Sequence, residues 1–288
     1  MKCTLVCITL TAFCGNMFAA DPPRAKPPVE NKSAERGPKD RAELEAFLDG
    51  VLGTMLKHEH IAGATIAVVV DNKPFFSKGY GYADFTERKP VAPAATMFRI
   101  ASISKLFTWT AVMQLAEQGK LDLDADVNTY LTQFKIPTRR YPQPITLKHL
   151  MSHTPGFEDH VLGLFAKTPD KLLPLGQILA KELPARVRPP NELSSYSNHG
   201  TAIAGYIVAQ VSGMSWEDYV EKNILKPLEM SNTLVRQPKP EDLPAAISKG
   251  YKWEGGKYKE KGFEYVPISP AGCMSAAAVD MTHFMISH

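Results

Sequence analysis

At 288 residues with 44% hydrophobic content, the chain can bury a substantial core as one large domain or two smaller ones. Its formal charge of +3 is small for that length, and no Lys/Arg cluster runs long enough to track a phosphate backbone, which excludes nucleic acid as a partner. After the N-terminus no segment reaches the roughly 18 apolar residues of a spanning helix, so a soluble body with no further transmembrane segment is expected.

The first twenty residues have the pattern of a secretory signal peptide. Met1-Lys2 is the charged start, Leu5 to Phe13 the apolar run and Ala19-Ala20 the small-residue end. This predicts export to the periplasm or beyond. Phe18 stands where a small residue is preferred, so an uncleaved anchor stays open, as does lipid attachment at Cys14. Cys3, Cys7 and Cys14 all lie in this segment; cleavage would leave Cys273 alone, and no internal disulfide is expected. Residues 21–40 are rich in proline and charge, a composition that cannot build a core, and read as a disordered tether.

Arg41 to His58 carries Leu44, Phe47, Leu48, Val51, Leu52, Met55 and Leu56 at helical spacing. Ala64 to Val70 is a β-branched run, Asp71-Asn72-Lys73 a turn, and Pro74 to Tyr80 a second strand, so a helix followed by a hairpin is predicted. Helical pattern then dominates from Ser102 to about Glu229. One helix runs from Ser102 to Gly119, another from Thr146 towards His153 before Pro155-Gly156, a third from Gly200 to Val211 closed by Gly213, and a fourth from Trp216 to Asn223. Few strand signals fall in this stretch. Gly255-Gly256-Lys257 reads as a surface loop, and Ala276 to His288 as a last helix; no internal repeat is evident.

Ser102-Ile103-Ser104-Lys105 opens the most apolar of these helices. Residues three apart share a helix face, so a hydroxyl and an amine can touch there. Leu106, Phe107, Trp109, Val112, Met113, Leu115 and Ala116 cover most of the remaining surface, which predicts burial all round. A desolvated lysine near the positive end of a helix dipole should lose its proton more easily than a surface lysine. About one Ser-x-x-Lys is expected by chance in such a chain, so a helix cap and a snorkelling side chain is the structural alternative. Tyr196 and Asn198 stand two apart on a loop introduced by Pro189-Pro190 and project the same way. The phenol could relay a proton at Ser102 and the amide could bind a substrate amide.

His149 and His153 have a spacing that can chelate zinc, but no adjacent glutamate or third ligand accompanies them, and a helix-terminal role for His153 is the expectation. His58-Glu59-His60 reads as a solvated helix end. Asp122, Asp124 and Asp126 lack the glycine and glutamate of a calcium loop. No metal and no cofactor are expected.

Together, five ordered segments resemble the serine β-lactamase and penicillin-binding-protein superfamily, in its class C-like branch of β-lactamases, D-alanyl-D-alanine carboxypeptidases and esterases. Phe98 to Lys105 is similar to its nucleophile segment, with Ala101 where glycine is common, and Thr146 to Gly156 to its Leu-Leu-Ser-His-Thr-Ser-Gly stretch. Tyr196-Ser197-Asn198 resembles its Tyr-x-Asn motif, Lys226 to Met230 with Thr233 its Pro-Leu-Gly-Met-x-x-Thr segment, and Pro270 to Met281 its returning helix. The resemblance implies an α+β fold, an antiparallel sheet flanked by helices plus a mostly helical domain. On it, residues 41–288 form one β-lactamase-like domain: an N-terminal α/β part at 41–85, a mostly helical part at 86–265 and the returning helix at 266–288.

The same resemblance implies an exported serine hydrolase. Ser102 would form an acyl-enzyme with a β-lactam, a D-Ala-D-Ala peptidoglycan peptide or a small ester; Lys105 and Tyr196 would handle protons, and Asn198 would orient the substrate. The family's third motif, Lys-Thr-Gly or His-x-Gly on a strand after the returning helix, does not occur before His288. The C-terminal sheet strands are therefore expected to be missing and the chain to be a fragment or early-stopped copy, with an unpaired sheet edge. A non-catalytic binding or regulatory protein is the alternative. Gly272-Cys273, where the family pairs glycines, raises a question of backbone conformation, and the oligomeric state is left open.

Overall fold

The computed structural model describes residues 40–158 and 163–288. The signal peptide and tether expected from the sequence, up to Lys39, lie outside the described residues. From Asp40 onward the chain is one unit. Asp40 caps helix α1, Arg41–His58, by accepting the Glu43 amide at 2.7 Å. Strands β1, Gly63–Val70, and β2, Lys73–Asp84, follow as an antiparallel hairpin. Asp71 and Asn72 both take positive φ (49° and 57°), the paired left-handed conformation of a tight hairpin turn that these two residue types tolerate. The helix and hairpin are those expected from the sequence, with the second strand running on to Asp84 and pairing there with β3, Lys89–Pro90.

Leu44 and Leu48 of α1 pack with Phe76 of β2, joined by Leu52, Ile66, Val68 and Tyr80. At the rim the Lys78 ammonium donates to Glu45 and Asp49 at 2.6 and 2.8 Å, tying strand to helix. Among the described strands, β1 and the short β3 are the two edges of this three-stranded sheet.

The second, larger core is helical. β4, Phe98–Arg99, leads through a 3₁₀ turn, Ala101–Ile103, into α2, Ser104–Glu117. Helices α3, Leu147–Met151, and α4, Leu175–Lys181, pack on α5, Asn198–Ser212, which in turn packs on α2. Next α6, Trp216–Val220, continues into a π-helical turn, Glu221–Leu225. Phe107, Ala111 and Val112 of α2 and Ile203 and Ile207 of α5 are completely buried against each other, with Leu147, Leu150 and Leu179 around them. β5, Thr233–Leu234, precedes a hairpin of β6, Gly250–Glu254, and β7, Lys257–Lys261. The short β8, Ser275–Ala276, pairs between β4 and β5, and α7, Ala278–Ile286, stacks Phe284 on Phe107 at 4.2 Å.

Four sequence expectations change. Ser102 lies in the 3₁₀ turn, ahead of α2's own bounds, rather than in the first α-helical turn. α2 is not buried all round: Leu106 and Met113 are 51% and 47% exposed, because its neighbours α5 and α6 cover the opposite side. Gly255-Gly256 is a hairpin turn, not an open loop; both glycines have positive φ (61° and 75°), and Trp253 and Tyr258 face each other across the strands with ring centroids 4.9 Å apart. Finally, the stretch from Ser102 to Glu229 is less helical than expected, since α3 has five residues and 130–146 carries no helix.

Candidate active site

The N-terminal end of α2 is held by the segment that leads to β8. A 3₁₀ turn, Ser269–Ala271, passes beside α2, and three polar groups on one side of the helix meet it or its continuation. Thr108 donates to the Pro270 carbonyl at 2.8 Å, Lys105 Nζ to the Ala271 carbonyl at 2.7 Å, and the Met274 amide to Ser104 Oγ at 3.2 Å. Gly205 on α5 makes room for this turn: a Cβ there would stand 2.4 Å from the Pro270 ring. Cys273 takes no positive φ, so no glycine is needed at its place. It is buried, its thiol donates to the Val235 carbonyl at 3.0 Å, and burial raises its pKa, which leaves it unreactive.

All four residues singled out in the sequence converge here. Lys105 is only 6% exposed, and its Nζ lies 3.0 Å from Ser102 Oγ, 2.7 Å from Asn198 Oδ1 and 2.7 Å from the Ala271 oxygen. Two of its three hydrogen-bonding directions are thus taken by acceptors, and the third points at the serine hydroxyl. Burial lowers the lysine pKa, opposed by the neighbouring Tyr196 hydroxyl. On the other side, Tyr196 Oη donates to Ser102 Oγ at 2.7 Å, and the Lys105 ammonium sits 4.9 Å over the Tyr196 ring. Ser197 Oγ caps α5 by accepting the Gly200 amide at 3.0 Å, which fixes Asn198 at the first position of that helix.

Ser102 itself is exposed to solvent. The residue before it, Ala101, has φ 46°, a left-handed conformation that is strained for a residue with a Cβ. Such strain at the residue that aims a nucleophile is common at reactive sites.

The part that two further groups play at the site is not readable from local sequence. The Ala271 carbonyl, a backbone atom, carries no side-chain signature. His153 has the position of a helix end, yet its ring lies 4.6 Å from that of Tyr196 and its Nδ1 accepts the Ser197 amide at 3.1 Å. His149 is engaged separately, its Nδ1 accepting the Thr146 amide at 3.1 Å in a capping box at the start of α3. Asp124 pairs with Lys148 at 2.6 Å. Among the described residues no helix is long and apolar enough to cross a membrane.

The beta-lactamase family model matches residues 48–288. The protein flp of Staphylococcus aureus (strain N315) is 31% identical over 242 residues, covering 83% of this chain and 47% of flp. The chain thus spans about half the length of the curated relatives it matches. The structure of an octameric penicillin-binding protein homologue from Pyrococcus abyssi superposes with a TM-score of 0.72 at 26% identity, covering 84% of this chain and 55% of that one. A class C beta-lactamase shares the fold, with a TM-score of 0.69 at 21% identity over 84% of this chain and 64% of its own.

Proposed function

The chain belongs to the beta-lactamase family, and on that premise we propose that it is an exported serine hydrolase working through an acyl-enzyme at Ser102. The observation that carries the proposal is the double contact on one hydroxyl: Lys105 Nζ at 3.0 Å and Tyr196 Oη at 2.7 Å from Ser102 Oγ. A serine hydroxyl is a weak nucleophile until a neighbouring base takes its proton.

Lys105 supplies that base. Asn198 and Ala271 hold two of its N–H groups, so in the neutral amine the lone pair faces Ser102 Oγ. Desolvation favours that neutral form. As the serine oxygen bonds to the substrate carbonyl carbon, its proton passes to Lys105. Tyr196 then relays a proton to the departing nitrogen or oxygen as the carbonyl's bond to it breaks. Water completes the cycle by attacking the ester, and the proton it gives up returns to Ser102. Splitting one acyl transfer into two steps lowers each barrier.

The substrate is an acyl compound of the class that family relatives suggest: a β-lactam, a D-Ala-D-Ala peptide or a small ester. Labelling with a fluorescent penicillin, in the wild type and in Ser102→Ala, tests the reading. Label on the wild type and none on the variant is expected for a β-lactam or peptide substrate. Hydrolysis of nitrophenyl esters, abolished by Ser102→Ala, is expected for an esterase. Labelling that survives the substitution refutes the nucleophile, and silence in both assays refutes the enzyme.

A further inference from the structure

Resting on that acyl-transfer reading, we propose that His153 is the positioning residue that holds Tyr196 over Ser102, and that it does so as the neutral imidazole. Three consecutive residues of the loop before α5 are attached to this one side chain and its backbone. The Ser195 amide donates to the His153 carbonyl at 2.7 Å, the Ser197 amide donates to His153 Nδ1 at 3.1 Å, and the ring of Tyr196 between them lies 4.6 Å from the imidazole at an angle of 37°. The phenol reaches Ser102 Oγ from that perch. Tyr196 is itself 49% exposed, so besides this clasp and the Lys105 amine over its ring little packing restrains it.

His153 is built into place rather than left at a fraying helix end. Its φ of 57° is left-handed, a conformation that is strained for a non-glycine residue and persists where surroundings enforce it. Its amide donates to the Leu150 carbonyl at 3.3 Å, completing the turn after α3. A histidine serving the helix C-terminus would be favoured as the cation. Here Nδ1 accepts an N–H and must keep its lone pair, which places the single ring proton on Nε2.

The charged and titratable groups facing it agree. Lys105 on α2 adds a positive charge whenever it is protonated, Tyr196 on the loop presents its ring face, and His149 on α3 is engaged with Thr146. Burial first and the Lys105 charge second push the His153 pKa below its ordinary value. Protonation would set an N–H at Nδ1 against the Ser197 N–H, release the loop and take Tyr196 off the serine. Besides the limb set by protonation of Lys105, acylation should therefore have an acid limb that belongs to His153 and lies below the ordinary histidine range.

The test uses the whole chain and two readouts. In the first, nitrogen NMR of the wild type follows His153 and the Ser197 amide, and carbon NMR the Tyr196 ring, against pH. The expected result is an unprotonated, hydrogen-bonded Nδ1 at neutral pH, with all three sets of signals titrating together. A protonated Nδ1, or Ser197 and Tyr196 signals that ignore the His153 titration, overturns the proposal.

In the second readout, acylation by fluorescent penicillin and by a nitrophenyl ester is timed across pH. His153→Ala loses a hydrogen bond and a ring stack and should slow acylation about tenfold or more. His153→Asn should recover most of that rate while losing the His153 acid limb, because asparagine tolerates left-handed φ and its Oδ1 can accept the Ser197 amide without titrating. A folded His153→Ala with wild-type rate and acid limb, or an asparagine variant no better than alanine, overturns the proposal. If the wild type reacts with neither probe, the acyl-transfer reading fails, while the co-titration still decides the role of His153.

Discussion

Lys105 and Tyr196 both reach the Ser102 hydroxyl, but they are held in opposite ways. Lys105 is 6% exposed, rides on a helix whose inner side is completely buried, and has Asn198 and Ala271 as further partners. Tyr196 is 49% exposed, sits on a loop, and leans on His153. The amine therefore inherits the rigidity of the core, and the phenol depends on a local clasp. Mutation of the core should act on the first, and pH on the second.

Removing the core-held arm should do most damage. Lys105→Ala is expected to slow acylation by about 10⁴-fold, the upper end of what one positioned acid-base group supplies. Stopped-flow or gel-based labelling measures it, and a smaller loss than that of Tyr196→Phe would reverse the comparison. Next in size is the helix that carries the lysine. Phe107→Ala, at a completely buried position stacked on Phe284, should lower unfolding stability in urea by about 3–5 kcal/mol, whereas Leu106→Ala, half exposed and next in the chain, should cost less than about 1 kcal/mol. Equal losses at the two positions would mean that the outer face of α2 is covered in solution.

Tyr196→Phe keeps the ring against His153 and removes only the hydroxyl, so acylation should fall about 10²-fold, the lower end of the acid-base range, with stability unchanged. The smallest effect concerns pH and stability. The folded pKa of His153 lies below its ordinary 6.5, so as pH falls the unfolded chain takes the proton first. Stability from this residue is full above pH 6.5 and declines below it. Asp84, lowered to about 2 first by its Lys249 hydrogen bond, acts in a separate window, holding above its ordinary 3.8 and lost towards pH 2. Urea unfolding between pH 7 and 4.5 should therefore show a slope that His153→Asn flattens, and a slope identical in the two proteins would contradict the lowered value.

The side chains of that comparison are present in the sequence as short motifs, and the clasp on one of them is not. The residues alone leave Ser102, Lys105, Tyr196 and Asn198 near the level of chance, and it is the family resemblance of five ordered segments that picks them out. α1 and the β1–β2 hairpin are legible from the residues themselves, because one periodicity and one Asp-Asn turn specify each. The role of His153 is not, since its partner Ser197 lies 44 residues further along the chain and local spacing is silent about such a contact. The β6–β7 hairpin is hidden by the lysines and glutamates on its outer face, which leave Tyr251, Trp253 and Tyr258 as the apolar side of its two strands. Nor can composition say which face of α2 is covered: Leu106 and Phe107 look alike in sequence, and only the placement of α5 separates them. The 3₁₀ turn at Ser102 is a similar case, set by the Ala101 conformation and the amide of Ile100 donating to the Met274 carbonyl at 3.0 Å.

The central claim is that Ser102 is the residue that takes the acyl group. Incubating the full chain with a penicillin and with a nitrophenyl ester, digesting it and mapping the adduct by mass spectrometry tests this most directly. The account predicts an acyl group on the peptide containing Ser102 with at least one reagent, and none in Ser102→Ala. An adduct on any other residue, an adduct that persists in the variant, or no adduct from either reagent would contradict it.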